Sequence, residues 1–243
     1  MATSPKFESY LLPISIVLAS IILAVSICYS SKNGVKYAPT QVAQQAAAPS
    51  AGTAQAKPAV DVKLVKTDGE PYVGKINAPV TVAYWFDYQC PFCKQYEQNV
   101  VSKLMTEYVA SGKVRIVFKD FAFLGADSTR ISLASNAVWS VSPSKWYAWH
   151  KNMFDNQGRE NSGWATVDKI RELTLPILGA GDTDKVIGLM TSKATEFQAK
   201  ITADKQEGGT FGVTGTPSVV IGKQLIVGAR QYEDIKAAVD AVK

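Results

Sequence analysis

Hydrophobic and polar positions divide the chain into three stretches. Leu11 to Tyr29 is apolar and carries no charge. A helix spans a bilayer with about 20 such residues, and the run is longer than the roughly 7–15 residues of a secretory signal core. It predicts an uncleaved signal anchor over 11–29, single-pass, with residues 1–10 as a short cytoplasmic lead. Ala24-Val25-Ser26 keeps a cleaved signal as the alternative. Lys6 lies on one side of the run and Lys32 and Lys36 on the other, so flanking charge does not orient it. Ala, Gln, Pro, Ser and Thr then dominate residues 38–60 without any bulky period. A flexible linker is expected over 30–64, with a folded domain from 65 to 243.

Inside that domain the period changes from strand-like to helical and back. Val80 to Phe86 is a continuous β-rich run, the pattern of a buried central strand. Pro91 suits a first helical position, where a missing N–H costs nothing. Phe92, Tyr96, Val100, Leu104 and Tyr108 then recur at helical spacing as far as Ser111-Gly112. Val114 to Phe118 reads as the next strand, so strand, helix and strand make the unit of a parallel sheet. Residues 128–207 read as mostly helical, over Ser128–Ser140, Lys145–Phe154, Trp164–Leu173 and Asp182–Gln206, the last possible as two pieces. Trp139, Trp146, Trp149, Phe154 and Trp164 gather here and are expected in the core. Gly208 to Pro217 reads as turn-rich. Ser218–Ile221 and Leu225–Val227 form a hairpin around Gly222-Lys223, and Tyr232–Val242 a closing amphipathic helix. The fold class is α/β.

Hydrophobic residues at 47% and charged residues at 19% fit a globular bulk. The net charge of +5 is spread without a run of Lys and Arg or basic-aromatic interleaving, so no nucleic-acid partner is expected. Of three cysteines, Cys28 lies in the apolar N-terminal run, where Ile27 precedes it instead of the small residue a lipoprotein needs. It reads as an inert apolar side chain. Only Cys90 and Cys93 remain for the folded part, too few for a disulfide-stapled scaffold.

These two stand in Asp87-Tyr88-Gln89-Cys90-Pro91-Phe92-Cys93, where the apolar strand passes into the helix. Such a pair closes a small disulfide or holds a metal. Structural zinc takes four ligands, and the domain offers two cysteines and one histidine, His150. Redox chemistry is therefore favoured, and no metal is assigned. A site completed by carboxylates or a second chain is the alternative. A thiolate is the nucleophile in disulfide exchange. A sulfur just before a helix faces unpaired N–H groups and the positive end of the dipole, both of which favour that anion.

The order of these elements resembles the thioredoxin fold, and three stretches resemble the DsbA-like thiol-disulfide oxidoreductases. Asn77 to Cys93 resembles the family's entry strand and active site. Val117-Phe-Lys-Asp-Phe121 with Ser128 resembles its next strand and first inserted helix. Phe211-Gly-Val-Thr-Gly-Thr-Pro217 resembles its proline loop. The resemblance covers roughly 65–243 and implies a helical insertion at about 124–207. It implies catalytic Cys90 and Cys93, with Cys93 the more buried resolving thiol, and Pro91 and Phe92 tuning the pair. It also implies a cis Pro217 facing the sulfurs and a substrate contact at Thr216. His150 is expected to have a packing role.

Two departures bear on reactivity. The family's namesake carries histidine where Phe92 stands, so a less extreme Cys90 and a less oxidising couple are expected. Family members commonly place glutamate where Tyr84 stands, beneath the pair, to relay the second thiol's proton. Here water or Lys119 would have to serve, while Asp87 is expected to order the loop or cap the helix. The function implied is a membrane-anchored enzyme on the extracytoplasmic side. It would form, isomerise or reduce disulfides in exported cysteine-containing polypeptides, with a membrane redox partner and no cofactor. The alternative is a redox-inactive peptide-binding or chaperone module on the same fold.

Overall fold

A computed structural model describes residues 60–242. The expected anchor at 11–29, its orientation and residues 30–59 of the linker lie outside them. Among the described residues no helix is long and apolar enough to cross a membrane.

The sheet grows outward from the apolar run. Strand β1 is Tyr72–Val73 and β2 is Val80–Phe86, every residue of β2 except Thr81 being buried. A helix, α1, then runs through Pro91–Tyr96, Glu97–Val101, Ser102–Leu104 and Met105–Val109, its second and fourth pieces wound in the wider π form. It returns the chain to β3 (Val114–Asp120), which pairs parallel with β2 from Val80↔Val114 to Phe86↔Asp120. Much later β4 (Ser218–Ile221) adds antiparallel to the other side of β2, β5 (Gln224–Val227) pairs with β4, and β1 pairs antiparallel with the outer side of β3. The order is β1-β3-β2-β4-β5.

Alternation along β2 assigns its side chains to two cores. Val82, Tyr84 and Phe86 face α1 and the inserted helices, together with Tyr96, Val100, Leu104, Trp146, Trp149 and Phe154. Ala83 and Trp85 face the other way, against Phe121, Phe211, Val213 and Val220. Val62 and Val65 belong to this second core, and Val62 N–H donates to Gly222 O at 2.7 Å. Packing against the sheet therefore begins a few residues before 65.

The insertion comprises α2 (Ala126–Val141), α3 (Pro143–Asp155), α4 (Val167–Leu178), α5 (Ala180–Ser192) and α6 (Ala194–Phe211). The expected Asp182–Gln206 segment is two helices meeting at Lys193. The expected Trp164–Leu173 segment starts later, where Thr166 Oγ1 caps Lys169 N–H, and runs through Pro176 in its last turn. The larger correction concerns Gly208 to Phe211, which is helix and not turn. A Cβ at Gly208 would stand 2.9 Å from Trp85 Nε1, so glycine there lets α6 approach the sheet. The stop lies at Gly212, with φ +89. Gly212 N–H bonds Gly209 O and Val213 N–H bonds Gly208 O, the paired bonds of a Schellman ending. Helix α7 (Tyr232–Asp240) closes the chain.

Candidate active site

Strand β2 ends at Phe86, and the next four residues carry the chain to the start of α1. Cys90 occupies the N-cap with φ −70 and ψ 116, and Pro91 follows at the first helical position. Asp87 holds this turn. Its Oδ1 accepts from Gln89 N–H at 2.7 Å and Ser128 Oγ–H at 2.6 Å, while Oδ2 accepts from Phe123 and Leu124 N–H at 2.9 and 3.1 Å. Of the two expected roles, Asp87 therefore orders the loop; no side chain caps α1.

The insertion fastens the same turn from outside. Gln157 Nε2 donates to Tyr88 O at 2.8 Å and Cys90 O at 3.0 Å. Gln89 Nε2 donates to Leu124 O at 2.7 Å, and its Oε1 accepts from Asn161 N–H at 2.8 Å. Sequence reasoning missed Gln89, Ser128 and Gln157. Isolated amides and hydroxyls give no pattern until folding brings their partners to them.

The two thiols experience opposite fields. Both are free, and both are buried. Cys93 hydrogen-bonds to the Cys90 sulfur and favours its anion. Burial opposes this, while Thr216 and the N–H groups of Cys93 and Phe92 favour the anion as Cys93 does. The Cys90 pKa is drawn down to about 6. Burial pushes the Cys93 thiol well up, and a charge on Cys90 pushes it further. Phe92 is exposed and brings no charge.

The proline loop faces this pair. The Thr216–Pro217 peptide is cis. Cys90 Sγ–H donates to Thr216 O at 3.4 Å. The Thr216 hydroxyl is buried and near enough to both sulfurs to favour their anions, yet it makes no well-aligned hydrogen bond. The two halves of the site are 126 positions apart and meet because β4 pairs with β2.

Tyr84 lies fully buried beneath Cys93, which adds to the burial that raises its phenol well above the usual range. Lys119 is excluded as a relay. It alternates with Phe118 and so faces the second core, where it meets Asp204 at 2.5 Å, Glu207 at 3.1 Å and Glu70 at 3.3 Å. His150 is completely buried, with Nδ1 2.9 Å from Tyr88 Oη and Nε2 3.0 Å from Glu97 Oε1. Both ring nitrogens are engaged, so it offers no donor to a metal at the cysteines. Glu97 was also missed. The signal was its place four residues after Cys93 and four before Val101, an acid in an otherwise apolar row.

Comparison with known proteins places this geometry. The thioredoxin family model matches residues 66–241. Disulfide bond formation protein D of Bacillus subtilis is 27% identical over 176 residues, covering 71% of this chain and 76% of that protein. The crystal structure of oxidised BdbD from Bacillus subtilis superposes with a TM-score of 0.67 at 25% identity, over 75% of this chain and 96% of that one. The thiol-disulfide exchange protein alpha-DsbA2 of Wolbachia pipientis shares the fold, with a TM-score of 0.62 at 24% identity over 72% and 87%.

Proposed function

Because the chain belongs to the thioredoxin family and is a DsbA-like protein thiol-disulfide oxidoreductase, we propose that Cys90 and Cys93 carry its exchange chemistry. The substrates are cysteine-containing polypeptides exported to the extracytoplasmic side. In the oxidising direction a substrate thiolate attacks Cys90 Sγ of the Cys90–Cys93 disulfide. The intramolecular S–S bond breaks, and Cys93 leaves with the electron pair and takes a proton. A second substrate thiolate then attacks its own sulfur in the mixed disulfide, and Cys90 leaves as a thiolate. The substrate is oxidised and the enzyme becomes the dithiol. A membrane redox partner returns it to the disulfide. Formation of disulfides is the favoured direction, supported by the naming of the Bacillus relative; isomerisation and reduction use the same steps in other orders.

One observation supports these roles above the rest: Cys90 is drawn down to about 6 while Cys93 is pushed well up. Below neutral pH Cys90 already leaves as an anion, the better leaving group. Thr216 and Pro217 border the pair, where an extended substrate would lie against the Thr216 backbone. Pro91 stiffens the turn and Phe92 offers an apolar exposed face. Residues 11–29 would hold the enzyme to the membrane and the following linker would give it reach.

The test is alkylation of the reduced protein by iodoacetamide as a function of pH. A midpoint near 6 is expected, abolished by Cys90→Ser. Cys93→Ser should accumulate mixed disulfides with substrate. A midpoint near about 8.5, the value of a free thiol, would refute the assignment of Cys90 as nucleophile.

A further inference from the structure

The exchange leaves one proton without a carrier. Cys93 is fully buried, and its thiolate is disfavoured by burial. When the Cys90–Cys93 bond breaks, Cys93 needs a proton at once; when Cys93 attacks a mixed disulfide, it must lose one. Lys119 faces the opposite core.

Three buried polar atoms near Cys93 make no well-aligned hydrogen bond: Tyr84 Oη, which lies close enough to Cys93 to interact with it, Tyr96 Oη and Glu97 Oε2. Both tyrosines feel Cys93 and Glu97 as near neighbours, and their rings stand 5.3 Å apart. Buried polar atoms are nearly always paired, so three poorly bonded ones near a reactive thiol ask for a common role. The other carboxylate oxygen, Glu97 Oε1, is held by His150 Nε2 at 3.0 Å. A carboxylate only accepts, so Nε2 carries the hydrogen. Behind it Tyr88 Oη lies 2.9 Å from His150 Nδ1 and 3.1 Å from Ser135 Oγ, which accepts from Trp146 Nε1 at 3.0 Å. One oxygen of Glu97 is thus fixed by the insertion, and the other is left for proton traffic.

We propose that Glu97, oriented by His150, is the positioning residue that takes and returns the Cys93 proton through the Tyr84 hydroxyl. This rests on the reading of Cys93 as the resolving thiol. In the resolving step the Cys93 S–H proton passes to Tyr84 Oη while the Tyr84 hydroxyl proton passes to Glu97 Oε2. The Cys93 electron pair forms the bond to Cys90, and the substrate sulfur leaves as a thiolate. In the oxidising step the same two transfers run backwards. The acid therefore enters from α1, four residues beyond Cys93, and not from the strand beneath. His150 acts by holding Glu97, which is more than packing.

The experiment is single-turnover reduction of the full-length oxidised protein by dithiothreitol between pH 5 and 8, in H2O and D2O. Tryptophan fluorescence follows the reaction. Groups facing Glu97 are Tyr84, Tyr88, Tyr96, Tyr147 and His150. Glu97→Gln keeps the bond from His150 and removes the proton site. It should slow turnover by about 100-fold, the low end for general acid–base catalysis, and remove the solvent isotope effect. Tyr84→Phe should do the same. Iodoacetamide alkylation of reduced Cys90 should stay within about twofold in both, which a structural disturbance of the site would not leave untouched. Turnover within about twofold of wild type in Glu97→Gln across this pH range overturns the relay. Should that variant not fold, unchanged turnover in Tyr84→Phe overturns it alone. If Cys93→Ser fails to accumulate mixed disulfides with a cysteine-containing peptide, the underlying assignment of the resolving thiol fails instead.

Discussion

Cys90 and Cys93 lie one helical turn apart, and their surroundings drive their thiols in opposite directions. The difference comes from position on α1. Cys90 sits at the N-cap with donors aimed at its sulfur, while Cys93 points inward over Tyr84 and Tyr96. The remaining lever is residue 92, exposed and uncharged here. Phe92→His should lower the Cys90 pKa by roughly one unit, about 1.4 kcal/mol. The stabilised reduced form then makes the couple more oxidising by roughly 30 mV. Equilibration with glutathione measures this, and an unchanged potential would mean that residue 92 does not set the poise. At this scale much was legible from sequence. The place of Cys90 ahead of a helix was legible, because a helix terminus acts on whatever residue stands there; the preference for redox over metal came from the lack of further ligands in the sequence. Glu97 and His150 were not legible as partners, because 53 positions separate them and only the packing of α3 on α1 joins them.

Elements are held in place by buried polar contacts as much as by apolar ones. Lys119 is almost inaccessible and surrounded by Asp204, Glu207 and Glu70. Burial alone would lower its pKa; Asp204 and Glu70 outweigh that and raise it. Asp204 also accepts from Asp120 N–H, so this cluster ties α6 to the end of β3. Lys119→Met leaves the carboxylates without their cation and should cost about 3–5 kcal/mol, read as a shift in the urea midpoint. Asp120 sets a pH dependence of the opposite kind from most acids. Burial raises it to about 6 in the fold, against about 3.9 unfolded. Between those values the folded state binds the proton and the unfolded chain does not, so stability falls as pH rises. Asp120→Asn should flatten that fall, gaining on wild type by up to about 3 kcal/mol between pH 4 and 6; equal slopes in pH-resolved denaturation would refute it. At Gly208 the backbone of α6 lies against Trp85, whose Nε1 is committed to Asp204 O at 3.0 Å. Gly208→Ala should therefore destabilise by about 1–3 kcal/mol. The same residue explains the misplaced turn. Paired glycines read as a break, yet one of them marks a close approach of helix to sheet.

For the whole molecule, the strand order and the site are one consequence. β4 returns beside β2, and its entry loop must then cross the start of α1, which sets Thr216 against Cys90. The insertion enters between β3 and β4 and packs Trp146, Trp149 and His150 behind the same site. The contacts that build the site join residues within 60–242. A protein lacking residues 1–59 should exchange disulfides within about twofold of the full chain and leave the membrane fraction, checked by alkaline extraction and peptide oxidation. Retention at the membrane would refute the proposed anchor at residues 11–29. By itself the sequence determined four of the five strands and α1, missing only the two-residue β1, and placed the cysteine pair at the start of α1, because period and helix termini act over a few residues. Only the tertiary structure decided that Lys119 faces away from the thiols, that α6 runs on to Phe211, and that Glu97 and His150 stand behind Cys93. Those outcomes depend on which face of one element meets another, and on burial, which sets both charge and partner.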